Sequence, residues 1–354
     1  PLAKLLSACS LQMVENSIWT VTRAVNSRVT QFVQSLVDRG RGDKAIFDVL
    51  PPQRRTLAEK GLLGSSRRAV VVSLPTSSGK TLIAQFRILQ ALNQFDHEKG
   101  WVVYLAPTRT LVNQVARKLR KDFSSLNIVV ENVSPALEVD GIEESLLTEQ
   151  DSDSQFRVLV TTPEKLDLML RQGWEEKIDR PLTLVVVDEA HNIQGASRGL
   201  KLELLLATIN KECQRAQFLL LTPFIENARD VARWLGGTNS EDVSLALDWQ
   251  PNDRAIGIVT AERGQLIRSN SYDYDLCFET VHTTRNTLSI DEQLDLSKAP
   301  KRARTYSKVG NQGVLTAVTS KSLSERGPVI VMHSTPRNVW SLAAKLKSEV
   351  EERP

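Results

Sequence analysis

Short apolar runs alternate along this chain with stretches in which apolar positions recur every three or four residues. The runs at 70–73, 101–106, 128–133, 157–162, 182–187 and 218–222 predict strands. Helical spacing predicts helices at 82–86 and onward, starting within 107–114, beginning at 163–166, and running through Trp234 and Leu235. The run at 182–187 is almost continuously apolar, as a central parallel strand covered on both faces should be. Strands and helices alternating in this way predict an α/β fold with a doubly wound parallel sheet. Ligands of such sheets bind at the carboxyl ends of the strands, where this chain carries its polar residues.

Outside that rhythm, residues 1–48 read as an N-terminal helical segment, with Ile18, Val21, Val25, Val29, Phe32, Val33 and Leu36 on one face. The alternating region, 49–237, is one domain. Within it, 134–155 is acidic (Glu143, Glu144, Glu149, Asp151, Asp153) and reads as a solvated surface insertion. Residues 238–325 read as a linker or insertion, with a β-rich excursion as the alternative. They hold a strand candidate at 254–259 and a basic segment from Lys298 to Lys308. An apolar run at 328–333 and helical spacing at 337–351 read as the start of a second α/β domain within 326–354. The chain begins at Pro1 without Met and stops at Pro354, so both ends read as cuts in a longer protein.

Composition narrows the class only a little. A length of 354 residues predicts about two domains. A net charge of +3 does not by itself demand nucleic acid, but it permits a local basic groove. Cys9, Cys213 and Cys277 are scattered and odd in number, which argues against a disulfide framework or zinc site and for a reducing compartment. No apolar run approaches the roughly 20 residues of a membrane helix. The expectation is an intracellular, cytoplasmic protein that does not engage membranes.

The chemistry lies at the strand ends. After 70–73 come Leu74-Pro75-Thr76-Ser77-Ser78-Gly79-Lys80-Thr81 and then a helix. Small residues let successive backbone N–H groups curl around a phosphate, and the helix start favours negative charge. Lys80 would reach the outer phosphates and the Thr81 hydroxyl would hold Mg²⁺. The strict pattern has Gly at the position of Leu74, so an ordinary Ser-rich turn is the alternative. Asp188-Glu189 follows the central strand: one carboxylate for Mg²⁺, its neighbour to polarise water. A Gln amide such as Gln53 offers a donor and an acceptor together, which suits an adenine edge, although a lone surface Gln is the commoner case.

Taken together, these segments resemble the superfamily 2 helicases over roughly 50–236 and again from 326. Gln53 matches that family's adenine-contacting Gln, and 75–81 its phosphate loop. Asp188-Glu189-Ala190-His191 matches the box that binds Mg²⁺ and activates water. Pro107-Thr108-Arg109 and Thr161-Thr162-Pro163 match two segments that grip the nucleic-acid backbone. The Pro-Thr-Ser-Ser run, and Arg198-Gly199 with Glu203 beyond it, resemble the superkiller-type branch. The resemblance implies a RecA-like phosphate-loop domain and an ATP-dependent helicase or translocase using ATP and Mg²⁺. It implies Lys80, Asp188, Glu189 and His191 as the catalytic set. Gln53 and Pro75, Thr76, Ser77, Ser78, Gly79, Lys80 and Thr81 would hold the nucleotide, and Thr81 and Asp188 the metal. Its implied partners are nucleic acid, with DNA favoured over RNA, and the rest of the helicase in the same chain. The chain departs from the family's Ser-Ala-Thr with Thr222-Pro223-Phe224, which bears on coupling more than on hydrolysis. An ATP-binding module that switches a protein partner without unwinding is the alternative. This stretch alone is expected to bind ATP weakly and hydrolyse it poorly, since no second-domain arginine finger is present in it.

Overall fold

The computed structural model describes residues 1–23, 25–39, 45–59, 62–63, 67–75, 78–133, 156–173, 178–195, 198–223, 225–244, 255–268, 271–283, 316, 319–320, 323–324, 328–333 and 335–351. The acidic stretch 134–155, the basic segment 298–308, Thr76, Ser77 and Phe224 lie outside them.

All six predicted apolar runs within the domain form strands: β1 (Ala69–Ser73), β2 (Trp101–Leu105), β3 (Val130–Asn132), β4 (Val158–Thr161), β5 (Leu182–Val187) and β6 (Gln217–Thr222). A seventh, β7 (Ser240–Ser244), pairs with β1. The sheet is parallel throughout, in the order β3-β4-β2-β5-β6-β1-β7. β7 comes from residues read above as linker, because its Ser-Glu-Asp-Val-Ser sequence carries no apolar run and its strand state depends on the edge β1 offers. β3 is shorter than its apolar run because it pairs on one side only.

The helices are α1 (Leu2–Asn16), α2 (Ile18–Thr22), α3 (Ser27–Val37), α4 (Pro51–Arg54), α5 (Lys80–Gln94), α6 (Arg109–Phe123), α7 (Pro163–Arg171), α8 (Arg198–Glu212), α9 (Ala228–Gly236) and α10 (Pro336–Glu351). Successive strand residues point to opposite faces, and the two sheet faces carry separate cores. Val70, Val72, Tyr104, Leu184, Val186 and Leu221 pack with α2, α3, α5 and α6. Val71, Val103, Leu105, Val185 and Leu220 pack with α7, α8 and α9. Helices on both faces are the expected doubly wound arrangement, and the strand ends after β1, β2, β4, β5 and β6 lie along one edge.

The N-terminal segment is part of this body. Val29, Phe32, Val33 and Leu36 of α3 enter the same core as α5, and Phe32 meets Phe86 and Phe123 edge-on at 5.5 and 5.6 Å. Asn26 caps α3, its side-chain oxygen accepting from the Val29 N–H at 2.9 Å. Beyond α3, Arg39 donates to the buried Asp122 carboxylate at 2.7 Å, which also accepts from Gln85 at 2.6 Å. Val25, placed above on the apolar face, is exposed in the break between α2 and α3.

Residues 1–251 form one compact unit and 252–354 a second. In the second, β8 (Ala255–Arg268) and β9 (Ser271–Thr283) form an antiparallel pair, the β-rich alternative for this region. The helix expected near the C-terminus is α10. The run at 328–333 pairs with no strand among the described residues, and Ile330 and Met332 are exposed. A strand's hydrogen bonds need a neighbour, so apolar character alone does not make one. No described helix is long and apolar enough to cross a membrane.

Candidate functional site

β1 is buried and delivers its last residue, Ser73, to the loop that precedes α5. Leu74 is fully buried in the core and its N–H donates to the Thr222 carbonyl at 2.9 Å. That explains a leucine where the strict loop has glycine: here the side chain fills the core beneath the loop. Pro75 organises the turn through its carbonyl, which accepts from Ser78 Oγ at 2.7 Å and from the Ser78 N–H at 3.3 Å.

Gly79 is the residue before α5 and has φ +75°. That left-handed backbone favours glycine. Space also demands it, because a Cβ there would stand 2.0 Å from Gln53 Nε2. Gln53, only 5% exposed, donates to the Gly79 carbonyl at 3.2 Å and accepts from the Leu50 N–H at 2.9 Å. It therefore ties α4 to the phosphate loop. One N–H and one lone pair of its amide are left for an adenine edge. Lys80 Nζ rests on the Leu74 and Pro75 carbonyls at 3.2 and 3.5 Å. Burial holds its pKa below the ordinary lysine value, while Glu189 and then Asp188 pull the other way. β1 and β5 are strands of one parallel sheet, so the loop bearing Lys80 and the turn bearing Asp188 and Glu189 leave the same edge. Thr81 stands half-buried in the first turn of α5.

Asp188 follows β5, and both its oxygens are engaged. Oδ1 accepts from the Glu189 N–H at 3.0 Å, and Oδ2 accepts from the Tyr104 hydroxyl at 2.8 Å. Tyr104 is buried; burial first, then the Asp188 charge, pushes its pKa well above the ordinary tyrosine value, so it remains a donor. Tyr104 is a site residue that sequence reading missed, since it looks like one more apolar position in β2. Finding it needs the β2–β5 pairing, which sets Tyr104 opposite Val186, two residues before Asp188 on the same face. Glu189 has φ +51°, a strained conformation for a residue with a side chain and one that concentrates at functional sites. Asn192 holds it there, donating to the Glu189 carbonyl from its side chain at 2.8 Å and its backbone at 3.0 Å. His191 Nδ1 lies 3.4 Å from Glu189 Oε2 without completing a hydrogen bond.

Past β2 and β4 an open groove is lined by Pro107, Thr108, Arg109, Thr162, Glu164, Arg198 and Lys201. Thr108 and Thr162 cap α6 and α7, their hydroxyl oxygens accepting from Leu111 N–H at 3.3 Å and Lys165 N–H at 3.4 Å. A capping hydroxyl still has its own O–H to donate. Arg109 is exposed at the start of α6, and Pro163 is the first residue of α7, capped by Thr162. Thr161 departs from the expected contact set. It is fully buried, and its hydroxyl donates inward to the Val133 carbonyl at 3.0 Å, at the end of the edge strand β3. Arg198 and Lys201 were not anticipated on this groove; α8 lies far along the chain from the motif threonines, and only the fold sets it there.

Comparison with known proteins gives the chain's relatives. Over 282 residues the chain is 28% identical to ATP-dependent DNA helicase Hel308 of Methanocaldococcus jannaschii, covering 72% of this chain and 21% of that protein. It is 26% identical over 247 residues to ATP-dependent DNA helicase MER3 of Saccharomyces cerevisiae, covering 68% of this chain and 20% of the relative. Its length thus spans about a fifth of these relatives. Among solved structures, Mss116p bound to ssRNA and AMP-PNP superposes with TM-score 0.51 at 18% identity, over 64% of this chain and 44% of that one. The DUF1998 helicase MrfA superposes with TM-score 0.55 at 14% identity, over 91% and 41%. Those likenesses show the fold, a RecA-like sheet with its helices. Residues 51–231, about half the chain and everything from the helix bearing Gln53 to the helix after β6, match the DEAD/DEAH box helicase family, and the chain belongs to it.

Proposed function

We propose that this chain holds the ATP-binding motor domain of a nucleic-acid helicase or translocase, acting within a longer protein. The observation that carries this reading is the convergence, along one edge of the parallel sheet, of the phosphate loop with the Asp188-Glu189 turn, and of a cation-lined groove beside them. Lys80, resting on loop carbonyls, is placed to move to the β- and γ-phosphates. Gly79 and the N–H groups at the start of α5 cradle phosphate, and Gln53 meets adenine with its remaining donor and acceptor. Among the described residues no three carboxylate, His or Cys side chains gather as a metal cage. That suits Mg²⁺, which is usually held by one or two carboxylates together with substrate phosphates. Thr81 and Asp188 would hold it, and it would neutralise charge on the transferring phosphoryl group. Glu189, its backbone held by Asn192, orients and polarises the attacking water, and His191 stands beside its carboxylate.

The groove takes the sugar–phosphate backbone through Arg109, Thr108 and Thr162, which reads no base edges. DNA is favoured as substrate, as in the names of the relatives. The working site is intracellular. The decisive experiment measures ATP hydrolysis by the full-length protein with and without single-stranded DNA or RNA. Stimulation by nucleic acid is expected. Nucleotide binding with no stimulation would instead mark an ATP-driven switch for a protein partner.

Two variants test the site residues. Arg109→Ala is expected to lower the salt slope of single-strand binding by about 0.7, the value of one phosphate contact. An unchanged slope and affinity removes Arg109 from the groove's function. Tyr104→Phe deletes the side-chain donor seen on Asp188 among the described residues, worth about 1.5–3 kcal/mol for a bond to a charged group. It should raise the Mg²⁺ concentration needed for half-maximal hydrolysis by roughly tenfold, and weaken Mn²⁺ binding to the nucleotide complex in a spin-resonance titration. Metal-free nucleotide binding should stay at the parent level.

A further inference from the structure

α8 contributes Arg198 and Lys201 to the groove that Arg109 lines, and nothing in the hydrolytic site accounts for those charges. Arg198 and Lys201 are exposed, stand three residues apart on one side of that helix, and line the same groove as Thr108 and Arg109. Among the described residues Arg198 pairs with Glu164, at 3.6 Å, and the arginine side chain is 75% exposed. An exposed pair of that kind is weak and salt-screened, so a phosphate oxygen can take the place of Glu164.

Gly199, next to Arg198, is turned inward instead. Gly199 is buried, and its N–H donates to the Gly195 carbonyl at 2.9 Å. A Cβ at Gly199 would lie 2.3 Å from the Ile193 carbonyl oxygen and 2.9 Å from that of Asn192. α8 is therefore seated backbone to backbone on the turn 190–194, with no side chain between to absorb a shift. Asn192 of that turn is the residue that holds Glu189 in its strained conformation, through two hydrogen bonds to one carbonyl. A narrow cavity lined by Asp188, Asn192, Arg198 and Lys201 lies between the groove and the turn.

We propose that α8 is the lever by which nucleic acid in the groove stimulates hydrolysis: Arg198 and Lys201 engage backbone phosphates, and Gly199 passes the resulting movement of the helix to Asn192 and so to Glu189. This rests on the groove being the nucleic-acid site. It also gives the chain a coupling route separate from the altered Thr222-Pro223-Phe224 segment.

The test measures ATP hydrolysis by the full-length protein against increasing poly-thymidine single strand, with strand affinity measured separately. Arg198→Ala/Lys201→Ala is expected to raise the half-saturating strand concentration roughly tenfold and to lower the salt slope by about 1.4, two phosphate contacts' worth. At saturating strand its maximum stimulation should still fall short of the parent's. Gly199→Ala should bind the strand within about twofold of the parent yet lose roughly tenfold in fold-stimulation, within the usual span of coupling between sites. Full parent stimulation in Gly199→Ala overturns the lever. So does recovery of the parent maximum by the double variant at high strand concentration, a readout that stands even where the glycine variant does not fold. An unchanged strand affinity in the double variant overturns the role of Arg198 and Lys201. A parent protein that binds no single strand overturns the groove reading itself, and the lever with it; a stimulated parent with a stimulated Gly199→Ala overturns the lever alone.

Discussion

Glu189→Gln is expected to cut the kcat of ATP hydrolysis in the full-length protein by about 10²- to 10⁴-fold, the usual contribution of a positioned general base. Nucleotide affinity should stay within about twofold of the parent. The amide is nearly the same size as the carboxylate, and the interactions that set this turn do not involve the Glu189 carboxylate. Asn192 holds the Glu189 backbone carbonyl, and the Glu189 N–H goes to Asp188. What the substitution removes is the charge that polarises water, together with the charge acting most strongly on Lys80. The contrast is Lys80→Ala, which removes the cation aimed at the phosphates and should weaken binding as well as hydrolysis. Stopped-flow binding of a fluorescent ATP analogue, paired with steady-state hydrolysis, separates the two. A Glu189→Gln protein that turns over at the parent rate removes Glu189 from the role of base.

Gly79→Ala is the second large effect, and it arises from backbone and space together. A side chain at φ +75° costs about 1–2 kcal/mol. The new Cβ would stand 2.0 Å from Gln53 Nε2, so the buried amide must leave its bond to the Gly79 carbonyl. Displacing it leaves buried polar groups unmatched, at about 1–3 kcal/mol. Both costs fall on the loop conformation that receives phosphate, so nucleotide affinity should drop by roughly 10- to 100-fold. Gln53→Ala in the same background checks the account. With the obstructing amide gone, Gly79→Ala should cost less than it does alone, as neighbouring sites that share a contact are not additive. Equal costs with and without Gln53 would mean that the clash is not the reason.

Much of the candidate site was legible because its chemistry is local. Lys80 and Thr81 follow Gly79 directly, and Asp188 and Glu189 directly follow an apolar strand, so the residue types and their spacing are both visible in a short window. What a window cannot show is which side chains meet across the sheet. Tyr104 lies 84 residues from Asp188 in the chain, and its hydroxyl matters only because β2 and β5 are neighbours. Thr161 and Thr162 look interchangeable as adjacent hydroxyls at a strand end. The fold buries the first against Val133 and sets the second on the groove as the cap of α7.

The sequence by itself determined β1 to β6, the helices between them and the residues able to handle a phosphate, because period, turn chemistry and capping act over a few residues. Tertiary structure decided the strand order, the inward turn of Thr161, the bond between Gln53 and Gly79, the placing of α8 on the groove, and the strand state of Ser240–Ser244. β7 shows the reason most plainly. Its polar sequence has no apolar run of its own, and it becomes a strand because β1 presents an unpaired edge of backbone donors and acceptors beside it. Contacts of that kind depend on which edges and faces the crossovers bring together, a property of the whole chain that no local run of residues contains.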